Sequence, residues 1–183
     1  MKRENRILLR TPTTADSAEF LDFVRQSRRL HRSWVAPPST RKAFLAYVGR
    51  CRRDDFTGLL ARRIEDDAIV GVFNLSQIFR GGFQNAYLGY YGSSRYRGRG
   101  YMTEGMALLL GYAFRTLRLH RLEANVQPRN AASIALVRRC GFRKEGFSPR
   151  YLKVAGRWRD HERWAITAED WRERLTSRRQ VGE

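Results

Sequence analysis

Apolar positions in the first third of the chain follow two different spacings. Ile7-Leu8-Leu9-Arg10-Thr11 is a compact apolar run stopped by Pro12, which predicts a short strand. Phe20, Leu21, Phe23, Val24 and Leu30 then recur at helical spacing, with Thr14 placed to cap the helix ahead of Ala15 and Asp16. Trp34-Val35-Ala36-Pro37-Pro38 reads as a rigid loop, because consecutive prolines exclude helix. Ser39 is placed to cap a second helix carrying Phe44, Leu45, Tyr47 and Val48. Beyond it the pattern becomes that of an antiparallel meander. Gly58 to Ile64 and Ala68 to Phe79 are apolar runs joined by the polar turn Glu65-Asp66-Asp67. Gly81-Gly82 turns the chain again into a strand from Asn85 to Tyr91.

The second half alternates helix and strand. A helix is expected from Tyr101 to about Thr116, a strand from Arg121 to Val126, and a helix from Asn130 to Cys140 closed by Gly141. Lys144 to Lys153 and Trp158 to Thr167 form a hairpin around Ala155-Gly156. Thr167 then caps a terminal helix containing Trp171, and Arg178 to Glu183 are expected to fray. A meander followed by βαβα implies an α/β fold, a mixed sheet with helices on both faces. With no internal repeat, low-complexity tract or long linker, residues 1–183 parse as a single domain.

Composition narrows the class. Hydrophobic residues make up 42% of the 183, too much for a disordered tail. No apolar run approaches the roughly 18 residues of a membrane span. Met1-Lys2-Arg3-Glu4-Asn5-Arg6 leads on without a signal-peptide core, so a soluble cytoplasmic protein is expected. Cys51 and Cys140 are too few for a disulfide framework and match no metal spacing. With 36 Lys+Arg against 18 Asp+Glu the formal charge is +18, and lysine stands only at positions 2, 42, 144 and 153. Such a balance fits a polyanionic partner, whether nucleic acid, a ribosome or a phosphate-rich cofactor. An arginine-rich codon supply accounts equally well for any one of these side chains. Charge alone leaves enzyme and nucleic-acid binder both open.

The most informative segment is Arg95-Tyr96-Arg97-Gly98-Arg99-Gly100, between a strand and a helix. Its glycines let several backbone N–H groups converge, and the helix starting near Tyr101 adds its positive dipole end. Three arginines surround the same loop, which together describes a pyrophosphate cradle. Tyr101-Met102-Thr103 after Gly100 excludes a P-loop, and the three-glycine dinucleotide pattern is incomplete. A solvated Arg-Gly turn is the alternative.

Arg-x-x-Gly-x-Gly after an aromatic strand and before an apolar helix resembles the acetyl-CoA loop of the GNAT N-acetyltransferases. Asn125-Val126-Gln127-Pro128-Arg129-Asn130-Ala131-Ala132-Ser133 resembles that family's Asn-x-x-Ser segment, and Cys140-Gly141-Phe142-Arg143-Lys144-Glu145-Gly146 its Gly-Phe-x-x-Glu-Gly. More narrowly, Asn74-Leu75-Ser76, Arg80-Gly81-Gly82-Phe83, Tyr87-Leu88-Gly89-Tyr90 and Gly156-Arg157-Trp158-Arg159-Asp160-His161 resemble its RimJ branch. The resemblance spans roughly residues 7 to 171 and implies a mixed, mostly antiparallel sheet of about seven strands. It implies acetyl-CoA as co-substrate, no metal, and direct transfer in a ternary complex. The acceptor it implies is the N-terminal α-amino group of a ribosomal protein, met near the ribosome or its RNA.

By the same resemblance, the strand ending at Tyr90-Tyr91 splays from the strand Arg121 to Val126 to admit the pantetheine arm. Backbone N–H groups of Leu88, Gly89 and Tyr90 polarise the thioester carbonyl. Arg95, Tyr96, Arg97, Gly98, Arg99 and Gly100, with Tyr101, Met102 and Thr103, grip the pyrophosphate, while Asn125, Asn130 and Ser133 line the pantetheine and adenosine side. Ser133 is the implied donor to the departing thiolate. Alternatively it only caps its helix, three positions after Asn130. Tyr87 stands where many family members carry the glutamate base, and Arg150 stands at a second family carboxylate position. Glu145, Asp160 and His161 remain as candidate bases, though each reads more readily as structural, a paired carboxylate or a strand-surface histidine. An α-amino group of pKa about 7.7–8.0 also reacts without a strong base. No spacing pairs Cys140 with His31, His120 or His161 as a nucleophile, while Trp34 and His31 lie on the loop that borders the acceptor. Two rival readings stay open: acetylation of a small amine, and an RNA-binding module with a vestigial acetyl-CoA pocket. Monomer and homodimer are equally open.

Overall fold

The computed structural model describes residues 5–180. Its strands are β1 (Ile7–Arg10), β2 (Phe56–Arg63), β3 (Ile69–Phe79), β4 (Asn85–Gly92), β5 (Arg121–Val126), β6 (Arg143–Val154) and β7 (Arg157–Thr167). Together they form one seven-stranded sheet in the order β1-β2-β3-β4-β5-β7-β6. Among these, β4 and β5 run parallel and the other neighbours antiparallel. The helices are α1 (Ser17–Gln26), α2 (Arg28–His31), α3 (Arg41–Arg50), α4 (Tyr101–Gly111), α5 (Ala131–Cys140) and α6 (Ala168–Gln180). The fold is α/β, a mixed sheet with helices on both faces.

Strand alternation divides the core into two layers. Leu59, Ala61, Phe73, Leu75 and Leu88 face Met106 and Leu109 of α4, Val137 of α5 and Trp171 of α6. Phe56, Leu60, Val72 and Tyr91 face Phe20 of α1 and Phe44 and Tyr47 of α3 on the opposite side. Phe20 and Phe44 are fully buried with ring centroids 4.5 Å apart, so truncating either to alanine costs about 3–5 kcal/mol.

Several element ends differ from the expected ones, each for a local reason. Thr13 rather than Thr14 begins the first helical turn, because the Asp16 carboxylate reaches back to the Thr13 N–H at 2.7 Å. Thr40 rather than Ser39 caps α3, its hydroxyl accepting from Ala43 N at 3.2 Å. The first helix breaks at Ser27, which is buried and accepts from Ser94 N at 3.0 Å, docking the loop after β4 onto the break. The helix expected to about Thr116 is α-helical only to Gly111 and closes in a π-turn, Tyr112–Thr116. Thr167 does cap α6, receiving Asp170 N at 3.2 Å. Fraying was expected from Arg178, but the helix runs to Gln180, and the rest of that segment lies outside the described residues. So do the side chains of Arg178 and Arg179.

An ion-pair cluster centred on the buried Arg62 and Asp16 ties β1, α1 and β2 together. Arg62 lies within 3.5 Å of Asp16, 2.9 Å of Glu19 and 2.7 Å of Asp67, while Arg10 also grips Asp16. Some of the arginine excess is therefore structural. Among the described residues, no helix is long and apolar enough to cross a membrane. Among them too, no group of three or more His, Cys, Asp or Glu is placed to hold a metal.

Candidate active site

The sheet opens at its centre. β4 and β5 match at Asn85–Arg121, Ala86–Leu122 and Tyr87–Glu123, and there the pairing stops. β4 continues against β3 as far as Gly92, and β5 against β7 as far as Val126. Leu88, Gly89 and Tyr90 therefore have a strand partner only on the β3 side, leaving their other edge to the gap.

A cavity of about 480 Å³ extends from this fork. One wall is Tyr90, Tyr91, Gly92, the loop after β4 and the start of α4. The other is the first turns of α5, with Asn130, Ser133, Leu136 and Arg139. Leu30, His31, half-buried Trp34 and Val35 form the roof. That roof is tied across the fork by Gln127 Nε2, which donates to Ser33 O at 3.2 Å. His31 Nε2 meets Gly92 O at 2.8 Å, and its ring stands edge-on to Tyr91 at 5.2 Å.

The loop after β4 has the form of an anion cradle. Gly98 and Gly100 take φ of +78° and +83°, left-handed values that favour glycine. These bends turn successive N–H groups toward one side. The N–H groups of Gly98, Gly100, Tyr101 and Met102 meet no backbone carbonyl among the described residues, as expected for a nest leading into a helix N-terminus. Of the three loop arginines Arg97 lines the cavity. The Arg95 and Arg99 guanidinium groups lie over the Tyr96 ring at 5.3 and 5.7 Å. Tyr96 and Tyr101 meet edge to face at 5.9 Å beneath the loop. Thr103 accepts from Arg139 Nη1 at 3.3 Å, linking α4 to α5 across the cavity.

Ser133 faces Tyr90 across the fork, hydroxyl to hydroxyl at 2.7 Å. The capping bond of α5 runs from Ser133 N to Asn130 Oδ1 at 3.2 Å, so the Ser133 side chain is not used in the cap. The Tyr90 hydroxyl also lies 3.4 Å from Ser133 O, and burial pushes the phenol well above its ordinary titration range.

The other expected site residues lie off the cavity. Tyr87 is half-buried on the far face of β4, bonded to the Tyr151 side chain, and burial raises its phenol. Glu123 accepts from Arg121 Nε at 3.0 Å, and the remaining guanidinium nitrogens fork onto Glu145, holding that carboxyl below its usual range. Asp160 accepts from Arg150 N at 2.7 Å. His161 is buried with Nδ1 2.9 Å from Arg159 O, and burial lowers its titration. His120 pairs with Glu169 at 3.2 Å. Asn125, half-buried on β5, has its Oδ1 buried without a partner among the described residues. Sequence reasoning did not single out Arg139, nor the Tyr90 hydroxyl as distinct from its backbone. Their partners lie 36 and 43 positions away, and no local pattern marks them.

Residues 6–143 match the acetyltransferase (GNAT) domain family. The chain is 32% identical over 177 residues to the [ribosomal protein uS5]-alanine N-acetyltransferase of Escherichia coli, covering 91% of this chain and 90% of that one. Its fold superposes on Mycobacterium smegmatis RimJ in complex with CoA-disulfide with a TM-score of 0.83 at 28% identity, covering 90% and 83% of the two chains. A spermidine N-acetyltransferase from Vibrio cholerae, in complex with CoA and spermine, shares the fold at a TM-score of 0.78 and 18% identity, over 92% and 99% of the chains. The chain belongs to the GNAT family of acetyl-CoA-dependent N-acetyltransferases.

Proposed function

We propose that this single-domain enzyme acetylates the N-terminal α-amino group of a ribosomal protein in the cytoplasm, by direct transfer within a ternary complex. The observation that carries the acceptor is the likeness to the uS5-alanine enzyme over nine-tenths of both chains. That span takes in the β6–β7 hairpin and the helical roof as well as the cofactor loop. The arginine excess adds to it: a cationic surface of net charge +18 repels polyamines and attracts an RNA-rich target.

The residues divide the chemistry as follows. The N–H nest at Gly98 to Met102, with Arg97, suits the pyrophosphate of acetyl-CoA, and Asn130 and Ser133 suit the arm beneath it. The open edge of Leu88 to Tyr90 supplies fixed donors where negative charge develops on the thioester oxygen. Glu145 and Asp160 are engaged elsewhere, so neither stands free as a base. An α-amino group with pKa about 7.7–8.0 supplies enough neutral amine near pH 7 for the attack to proceed without one.

A pair of peptides tests the acceptor. One begins with a free alanine and the other is blocked at that amine but carries an internal lysine. Acetylation of the first alone supports the proposal; acetylation of the lysine, or of spermidine in preference to either, defeats it.

A further inference from the structure

We propose that the outer half of the β6–β7 hairpin is an RNA-binding arm, which stacks a base of a single-stranded stretch on Trp158 while the surrounding cations hold its phosphates. The choice of RNA rests on the ribosomal-protein reading above, since a ribosomal acceptor is met beside its RNA. The surface itself is separate from the cofactor cavity, which no residue of the hairpin lines. Three observations carry the proposal.

The hairpin outgrows the sheet. β5 accompanies β7 only as far as Val126 opposite Glu162. Beyond that pair, β7 continues against β6 alone, at Ser148–His161, Leu152–Arg159, Lys153–Trp158 and Val154–Arg157. A two-stranded ribbon has no core of its own. This one nevertheless holds large apolar groups in solvent: Trp158 is 61% exposed, Phe147 51% and Leu152 40%. Apolar groups gathered on one uncovered ribbon mark a contact surface.

The charge selects the partner. Arg150, Lys153, Arg157 and Arg159 are exposed and have no ion-pair partner among the described residues, whereas Arg143 and Lys144 at the base of β6 are engaged by Asp170 and Glu162. Asp160 is the only acid between Gly146 and His161, and its carboxylate accepts from the Arg150 N–H at 2.7 Å. A polyanion suits this surface. A second copy of the chain does not, because it would set the same cations against each other in a protein of net charge +18.

The arrangement selects a stacked, single-stranded form. Lys153 and Trp158 are register partners, so their side chains share one face of the ribbon. Arg157 and Arg159 flank Trp158 along the strand. A base seated on the indole therefore has one cation across the ribbon and one on either side along the chain, as a phosphodiester running past a stacked base requires.

The test titrates the full chain with a short oligouridylate and with polyglutamate of matched charge, following tryptophan fluorescence and affinity over a salt series. Trp164 and Trp171 are buried and Trp34 is half-buried, so quenching by the RNA reports chiefly on Trp158. RNA is expected to quench the emission and to bind more tightly than polyglutamate. Trp158→Ala should weaken RNA binding about tenfold and abolish most of the quenching, while Trp158→Phe keeps a stacking ring and most of the affinity. Arg157→Gln and Arg159→Gln should each reduce the slope of log affinity against log salt by about 0.7. Thermal midpoints should stay at the wild-type value, since these side chains are exposed. No acetyl-CoA or acceptor enters this assay, so its failure leaves the peptide test of the acceptor standing, and the reverse holds too. RNA affinity unchanged in Trp158→Ala, or equalled by polyglutamate, overturns the proposal. So does a dimer that Trp158→Ala dissociates, or loss of alanine-peptide acetylation in that variant with RNA affinity intact, either of which gives the ribbon to a protein partner.

Discussion

Tyr87 on β4 lies opposite Glu123 on β5, and past this pair the two parallel strands separate. Both side chains share the face away from the cofactor cavity. Glu123 is held by Arg121, and the Tyr87 phenol, raised by burial, stays neutral at physiological pH. The rate should then follow the acceptor's own amine. For an alanine peptide, kcat/KM is expected to rise to a plateau with an apparent pKa of about 7.7–8.0. Tyr87→Phe, off the cavity and bonded to Tyr151, should leave the apparent pKa of that profile unchanged. A profile whose pKa moved with Tyr87→Phe would make Tyr87 a titrating base instead.

The cradle predicts a ranking among three neighbouring arginines. Arg97 lines the cavity, whereas Arg95 and Arg99 rest on Tyr96. Arg97→Ala should weaken CoA binding about tenfold or more, the cost of a charge-assisted contact, and should flatten its salt dependence. Arg95→Ala and Arg99→Ala should cost less. Gly100→Ala places a side chain at φ +83° and should lower both stability, by about 1–2 kcal/mol, and CoA affinity. Calorimetric titration with CoA checks the set.

Burial depresses the titration of His31 and His161, so both are neutral in the fold. Below the ordinary value of 6.5 the unfolded chain binds protons that the folded chain refuses. Their stabilising contribution is complete above that pH and is lost as pH falls toward the folded values. The thermal midpoint is expected to fall between pH 7 and pH 5, and His31→Gln should reduce the slope. An unchanged slope would mean that His31 protonates in place.

Asp16 behaves in the opposite sense. Burial alone would raise its titration, but Arg10 and the Thr13 N–H together hold it at about 2 against an ordinary 3.8. Its contribution is present above 3.8 and is lost as pH falls toward 2. Asp16→Asn removes the carboxylate that Arg10 grips, while Arg62 keeps Glu19 and Asp67, so about 1.5–3 kcal/mol of stability should be lost, measurable by urea unfolding at pH 7.

Much of the fold was legible from spacing. Strand alternation located β2 through β5, Asn130 marked the start of α5, and glycines at 98 and 100 marked the cradle. Each of these signals is local: a side chain's periodicity, a cap, a backbone bend. What escaped was set by tertiary contact. The helical pattern through Leu30 gave no sign of the break at Ser27, because the partner that stabilises it is Ser94, 67 positions on. Gln127 and Ser33, which tie the roof across the fork, are 94 apart. The arginine excess resolved only in part: Arg62 is structural, Arg97 and Arg139 line the cavity, and Arg138 lies over Trp164 at 5.3 Å.

The most direct measurement is intact-mass analysis of a ribosomal-protein mixture incubated with acetyl-CoA and this enzyme, followed by fragmentation to place the added group. One acetyl group on the N-terminal amine of a ribosomal protein is the predicted result. Acetyl groups on lysine side chains or free polyamines alone, or no transfer alongside salt-sensitive retention of RNA, would contradict it.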